Sequence, residues 1–148
     1  MRILFLGDIV GPSGCNVVKR FLPDIIKKRD LDFVVANGEN AADSGLGITE
    51  KISKELFSCG IDVLTTGNHV WDQKETAEHI EREKKLLRPY NLTSPSPGKG
   101  FEIFSSKNNF KIGVLNLMGN VFMKKCDDVF IKVEKFLNDY DLKKNYDF

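Results

Sequence analysis

Residues 34–47 read VVANGENAADSGLG. A run of β-branched and small apolar residues ends at Asn37-Gly38, and a carboxylate and an amide, Glu39 and Asn40, follow at once. A short apolar run of this kind fits a strand covered on both faces, as in a parallel sheet. Two further runs, RILFLG (2–7) and IDVLTTG (61–67), have the same make-up. Between the first pair, GCNVVKRFLPDIIKKRD (14–30) places Val17, Val18, Phe21, Leu22, Ile25 and Ile26 at helical spacing. Pro23 is expected to kink that helix or to begin a second one. Between the second pair, TEKISKELFSCG (49–60) predicts a helix capped by Thr49, with Ile52, Leu56 and Phe57 inward and Gly60 as the stop. The polar stretch DQKETAEHIEREKK (72–85) predicts a third helix, with Asp72 placed to cap it.

Strand and helix thus alternate three times, the order that right-handed crossovers turn into a parallel sheet. After residue 86 the pattern changes. LLRPYN (86–91) suggests a short strand, TSPSPGKG (93–100) a loop, and FEIF and FKIGVLNL two strands around a turn. DDVFIKVEKFLNDY (127–140) predicts a last amphipathic helix with Phe130, Val133, Phe136 and Leu137 on one side. The expected class is α/β, with a parallel βαβαβ start.

Composition bounds the function. With 148 residues the chain is one domain's worth, able to bury about two-thirds of its unfolded surface. A net charge of +1 argues against stable nucleic-acid or anionic-membrane binding. No apolar run approaches the roughly 20 residues of a membrane span, and ILFL is too short for a signal peptide. Cys15, Cys59 and Cys126 are odd in number and widely spaced, so free thiols and a cytoplasmic setting are expected.

In an open parallel sheet, ligands bind beyond the carboxyl ends of the strands. The three strands lead into Gly7-Asp8, Gly38-Glu39-Asn40 and Gly67-Asn68-His69. Each tip has a glycine, expected to permit a sharp turn, and then a group able to ligate a metal. Blander roles exist for every one. Asp8 can cap the next helix, Glu39 can be a solvated loop charge, and Asn40 can close an Asx turn. Asn68-His69 can be an ordinary turn, Trp71 and Asp72 core and cap, and His79 a surface residue. Three such tips in succession are more specific than any one of them. The glycines at 7, 11 and 14 do not fit a dinucleotide-binding G-x-G-x-x-G, and no Walker A motif is present.

GDIVG, NGENAADSGLG and GNHVWD, in this order, resemble the calcineurin-like metallophosphoesterases, and within them the bacterial 2′,3′-cyclic-nucleotide 2′-phosphodiesterases. RPYN, PGKG and VLNLMGNVFM extend the resemblance over nearly the whole chain. It implies an α-β-β-α sandwich and a metal-dependent phosphoesterase that hydrolyses small phosphodiesters such as cyclic nucleotides. The implied cofactors are two divalent or trivalent ions, iron or manganese, which activate a bridging hydroxide. By position, Asp8 would ligate one ion, Glu39 would bridge both, and Asn40 and Asn68 would ligate the other. His69 would be the catalytic residue, off the metals, giving a proton to the leaving oxygen or bracing the transition state. Val10 stands where the wider superfamily often has histidine, as is usual in this subfamily.

Members of the subfamily run to about twice this length and carry further metal histidines in their second half. Residues 1–148 are therefore expected to form a metallophosphoesterase domain truncated before those motifs. The alternative is a non-catalytic remnant, or an interaction module that needs a complementary chain. Half of a layered fold leaves an apolar sheet face uncovered, so self-association is expected as well.

Overall fold

In the computed structural model, which describes residues 1–148, the apolar runs form strands and the periodic segments between them form helices. β1 (Ile3–Val10), α1 (Gly11–Arg29), β2 (Phe33–Asn40), α2 (Glu50–Ser58), β3 (Val63–Thr65), α3 (Thr76–Arg82) and β4 (Leu86–Leu87) come first. β5 (Phe101–Ser105), β6 (Lys111–Leu115) and α4 (Val129–Asp139) follow. The first four strands make one parallel sheet in the order β1-β2-β3-β4, and β5 and β6 pair antiparallel as a second sheet.

Alternation along β2 divides the core in two, because successive side chains leave opposite faces of a strand. Val34 and Ala36 join Leu22, Ile48, Leu56 and Leu64 on the face that carries α1 and α2. Phe33 and Val35 join Val63, Leu87 and Ile112 on the face toward the second sheet. Beyond that sheet, α4 packs through Phe136, which lies edge-on to Phe101 and stacks on Tyr140. The layers run helix, sheet, sheet, helix. No helix is long and apolar enough to cross a membrane, and all three cysteines are free.

Several expectations need correction. Pro23 begins no second helix: α1 continues through it to Arg29. On α1, Leu22 is buried but Val17, Phe21 and Ile25 are exposed, because nothing packs against the outer half of the stripe. β1 is an edge strand and is not covered on both faces: Ile3 and Phe5 stand exposed. On α4 only Phe136 of the four named residues is buried, while Phe130 and Leu137 face solvent.

Asp72 does not cap α3. That helix begins at Thr76 after Glu75, with no side-chain cap, because Asp72 is engaged by His69. His79 is not a surface residue. It is 3% exposed, with its Nε2 2.8 Å from Ser53 Oγ, and so fastens α3 to α2. Thr49 caps α2 as expected, its Oγ1 accepting from the Ile52 N–H.

Candidate functional site

Asp8, Glu39, Asn40, Asn68 and His69 meet at the C-terminal ends of β1, β2 and β3. Parallel pairing sets the register: Asp8 lies opposite Asn37, and Val10 opposite Asn40. The β1–β2 ladder is irregular on both sides of Asp8, and Gly7 has no partner there. Such bulges re-aim a side chain at a sheet's rim. Asp8 caps nothing; the residue before α1 is Val10, without a side-chain cap bond.

Turns follow two of the three tip glycines: the Ala41 N–H donates to the Gly38 carbonyl at 3.1 Å, and the Val70 N–H to the Gly67 carbonyl at 3.2 Å. Gly7, Gly38 and Gly67 all have ordinary negative φ, and the strongly turned backbone lies further on, at Gly11, Gly45 and Gly47. Gly38 and Gly67 are also needed for room. A Cβ on Gly38 would press on Ile48 and Leu64 at 3.1 and 3.2 Å. A Cβ on Gly67 would overlap the Glu39 carboxylate outright. β2 thus runs extended through Glu39 to Asn40, and β3 ends beneath the carboxylate that β2 delivers.

The side chains form a partly satisfied polar set. The Asn40 amide donates to both oxygens of Asp8, at 3.0 and 2.9 Å. The Glu39 backbone N–H donates to Asn37 Oδ1 at 3.0 Å, which pins the strand end. Two buried side-chain oxygens are left without any hydrogen-bond partner: Glu39 Oε2 and Asn40 Oδ1. Burial pushes the Glu39 carboxyl above its ordinary range, and the negative charge of Asp8 pushes the same way. His69 and the backbone N–H groups of His69 and Asn68 offset part of this. His69 is itself held at Nδ1, 2.6 Å from Asp72 Oδ2. A carboxylate at that nitrogen accepts the Nδ1–H and leaves Nε2 directed elsewhere.

An unsatisfied buried polar atom costs about 1–3 kcal/mol. Two on consecutive residues, beside a second carboxylate, are what a cation would satisfy. The side-chain oxygens of Asp8, Glu39 and Asn40 are hard donors, a set that suits a hard cation better than a soft one. The set is short, since no three His, Cys, Asp or Glu side chains stand together as a cation site. A cleft of about 590 Å³ opens nearby between α1, α2 and the loop after β2, lined by Cys15, Lys19, Asp43 and Glu55 among others. None of the five candidate residues lines it.

The family described as YmdB-like protein matches residues 4–148. The chain belongs to the YmdB-like family. Its YmdB-like relatives include the 2′,3′-cyclic-nucleotide 2′-phosphodiesterase of Bacillus subtilis (strain 168), 42% identical over 137 residues. That match covers 93% of this chain and 51% of the relative. A putative phosphatase/phosphodiesterase of Mycoplasma genitalium is 37% identical over 123 residues, 80% of this chain and 43% of the relative. Among solved structures, a hypothetical protein from Thermus thermophilus superposes with a TM-score of 0.87 at 35% identity, covering 95% of this chain and 54% of that one. A novel phosphatase from Mycoplasma pneumoniae gives 0.85 at 31%, covering 94% and 51%. The α/β fold is therefore that of the YmdB-like proteins, and this chain spans about half the length of the relatives it matches.

Sequence reasoning named Asp8, Glu39, Asn40, Asn68 and His69 but not the arranging roles of Asp72, which it read as a helix cap, of Asn37, or of Gly67, which it read as a turn residue. Asp72 orients His69, Asn37 holds the Glu39 backbone, and Gly67 makes room for its carboxylate. The three-residue spacing in HVWD was the available signal for the first.

Proposed function

We propose that residues 1–148 form the donor-bearing part of a metal-dependent phosphodiesterase acting on small phosphodiesters such as 2′,3′-cyclic nucleotides. The observation that carries this is the pair of partnerless buried oxygens, Glu39 Oε2 and Asn40 Oδ1, beside the Asp8 carboxylate. The name of the Bacillus subtilis relative supports the substrate class. Asp8, Glu39, Asn40 and Asn68 would hold two ions of iron or manganese, and the remaining donors come from outside these residues. Such ions, when bound, supply positive charge to the phosphoryl oxygens of the substrate.

The chain's own groups do the rest. Glu39 and Asp8 place negative charge where the ions are held, and the amide oxygens ligate without adding to it. Gly67 keeps the Glu39 carboxylate close against the backbone. Asp72 fixes the His69 ring by its Nδ1–H, so that Nε2 can carry a proton to the leaving oxygen of the ester.

The test uses residues 1–148 joined to the remaining half of the Bacillus subtilis relative, with 2′,3′-cyclic AMP as substrate. His69→Ala is expected to lower turnover by about 10²–10⁴-fold, the usual worth of a general acid, while metal content stays the same. Loss of the metals together with turnover would make His69 a ligand and overturn its assigned role. Residues 1–148 alone are expected to hold metal weakly and hydrolyse nothing; two tightly held ions with full turnover would contradict the incomplete donor set.

A further inference from the structure

Arg88 follows directly on β4, the strand at the opposite edge of the main sheet from β1. It lines a pocket of about 320 Å³, together with the 98–101 segment and with Lys132 and Tyr140 from α4 and its C-terminal cap. None of Asp8, Glu39, Asn40, Asn68 and His69 reaches this pocket. Its polar lining is one-sided. Arg88, Lys99 and Lys132 bring cationic side chains, Tyr90, Tyr140 and Ser94 bring hydroxyls, and no Asp or Glu lines it.

The two lysines are already matched, Lys99 by Glu102 at 2.6 Å and Lys132 by Asp127 at 2.9 Å. Arg88 is half-buried and has no carboxylate in contact, although an arginine withdrawn from water is normally paired. Burial pulls its guanidinium below the ordinary range, and the charges of Glu81 and Tyr90 offset part of this. Glu81 itself accepts the Gly98 N–H at 3.1 Å. The guanidinium is also held in place. Its Nε donates to the Pro97 carbonyl at 3.0 Å and its Nη1 to the Pro89 carbonyl at 2.9 Å, which leaves three of the five N–H groups for a ligand. The walls are set as well: the Arg88 N–H donates to the Lys99 carbonyl at 3.0 Å, and a Cβ on Gly100 would overlap the Tyr90 backbone.

We propose that this pocket binds the phosphoryl group of a small phosphate ester, with the Arg88 guanidinium as its anchor and Lys99 and Lys132 as flanking charge. A planar fork of N–H groups meets two phosphate oxygens at once, a match that a lysine does not provide. The hydroxyls of Tyr90, Tyr140 and Ser94 are further donors to the same anion. Phe101 and Tyr140, their ring centroids 4.7 Å apart, form an apolar wall beside the cations. That wall suits the organic part of the ester, and a nucleoside monophosphate has both parts. The volume lies at the low end of the roughly 300–1,000 Å³ of small-molecule sites, which fits one nucleotide better than a longer chain. The site is inferred from the charge of its own lining, not from the phosphodiesterase reading, and stands or falls apart from it.

The test titrates metal-free residues 1–148 with AMP, and separately with adenosine, and follows the backbone amide signals. AMP is expected to move the signals of residues 88, 90, 98–101 and 132 and to leave those of 7–10, 38–40 and 67–70 in place. Adenosine, which lacks the phosphoryl group, should move neither set. Arg88→Lys keeps the charge and loses the fork, and should weaken AMP binding at least about tenfold. Lys132→Ala leaves the bonds of Arg88 intact and should weaken it about threefold, so the site stays testable if Arg88→Lys fails to fold. Lys144→Ala, an exposed lysine outside the pocket, should change nothing. The proposal is overturned by no shift at millimolar AMP, by adenosine acting as well as AMP, by shifts centred on the three strand tips, or by affinity indifferent to Arg88→Lys and Lys132→Ala.

Discussion

Glu39 fits into the site because the residue beneath it is a glycine. Gly67 has no side chain, and the carboxylate occupies the space where one would stand. Gly67→Ala should therefore displace Glu39 while changing nothing else nearby, since Gly67 sits at ordinary φ where alanine is tolerated. We expect the variant to keep its circular dichroism spectrum and to lose Mn²⁺ affinity. Unchanged affinity would mean that the carboxylate position does not matter. Asp62 offers a pH test away from the site. Its Oδ2 accepts the Val34 N–H at 2.8 Å, and burial, the largest influence, raises its carboxyl above the ordinary 3.8. The folded chain binds that proton more tightly than the unfolded one. This group's contribution to stability is thus present in full below about pH 3.8 and is lost as pH rises through the folded value. Asp62→Asn keeps the acceptor and removes the titration, so it should gain stability relative to the parent between acid and neutral pH. A urea-midpoint difference that stays constant over that range would contradict this.

At the scale of elements, α3 is held by a contact that its own sequence hides. It reads as a polar surface helix, yet His79 is buried against Ser53 of α2, and Thr76 Oγ1 donates to the Ile48 carbonyl at 2.7 Å. His79→Ala should cost about 1–3 kcal/mol in urea denaturation, by lost packing and a broken buried hydrogen bond. A cost near zero would restore the surface assignment. The difference shows what was legible. β1, β2 and β3 were visible because an unbroken apolar run has few other fates, and Thr49 because a cap is a local event. His79, the Asp72–His69 pair and the β1 bulge depend on partners set by folding, and no local pattern reports them. The glycines at 7, 38 and 67 were visible as special, but turn and close approach leave the same mark in a sequence. The exposed stripes on β1 and α1 read as core because apolar spacing does not say whether a cover is present.

The whole molecule has four layers but uneven width, with four strands in one sheet and two in the other. One end gathers five polar residues from three strands, and the adjoining edge exposes apolar surface on both faces. The chain spans about half the length of the relatives it matches. The central claim is that the three strand tips hold a cation. Paramagnetic broadening of backbone amide signals during a Mn²⁺ titration of residues 1–148 tests it most directly. Broadening confined to residues 7–10, 38–40 and 67–70, and abolished by Glu39→Gln, is the predicted result. Broadening centred elsewhere, or unchanged in Glu39→Gln, would contradict it.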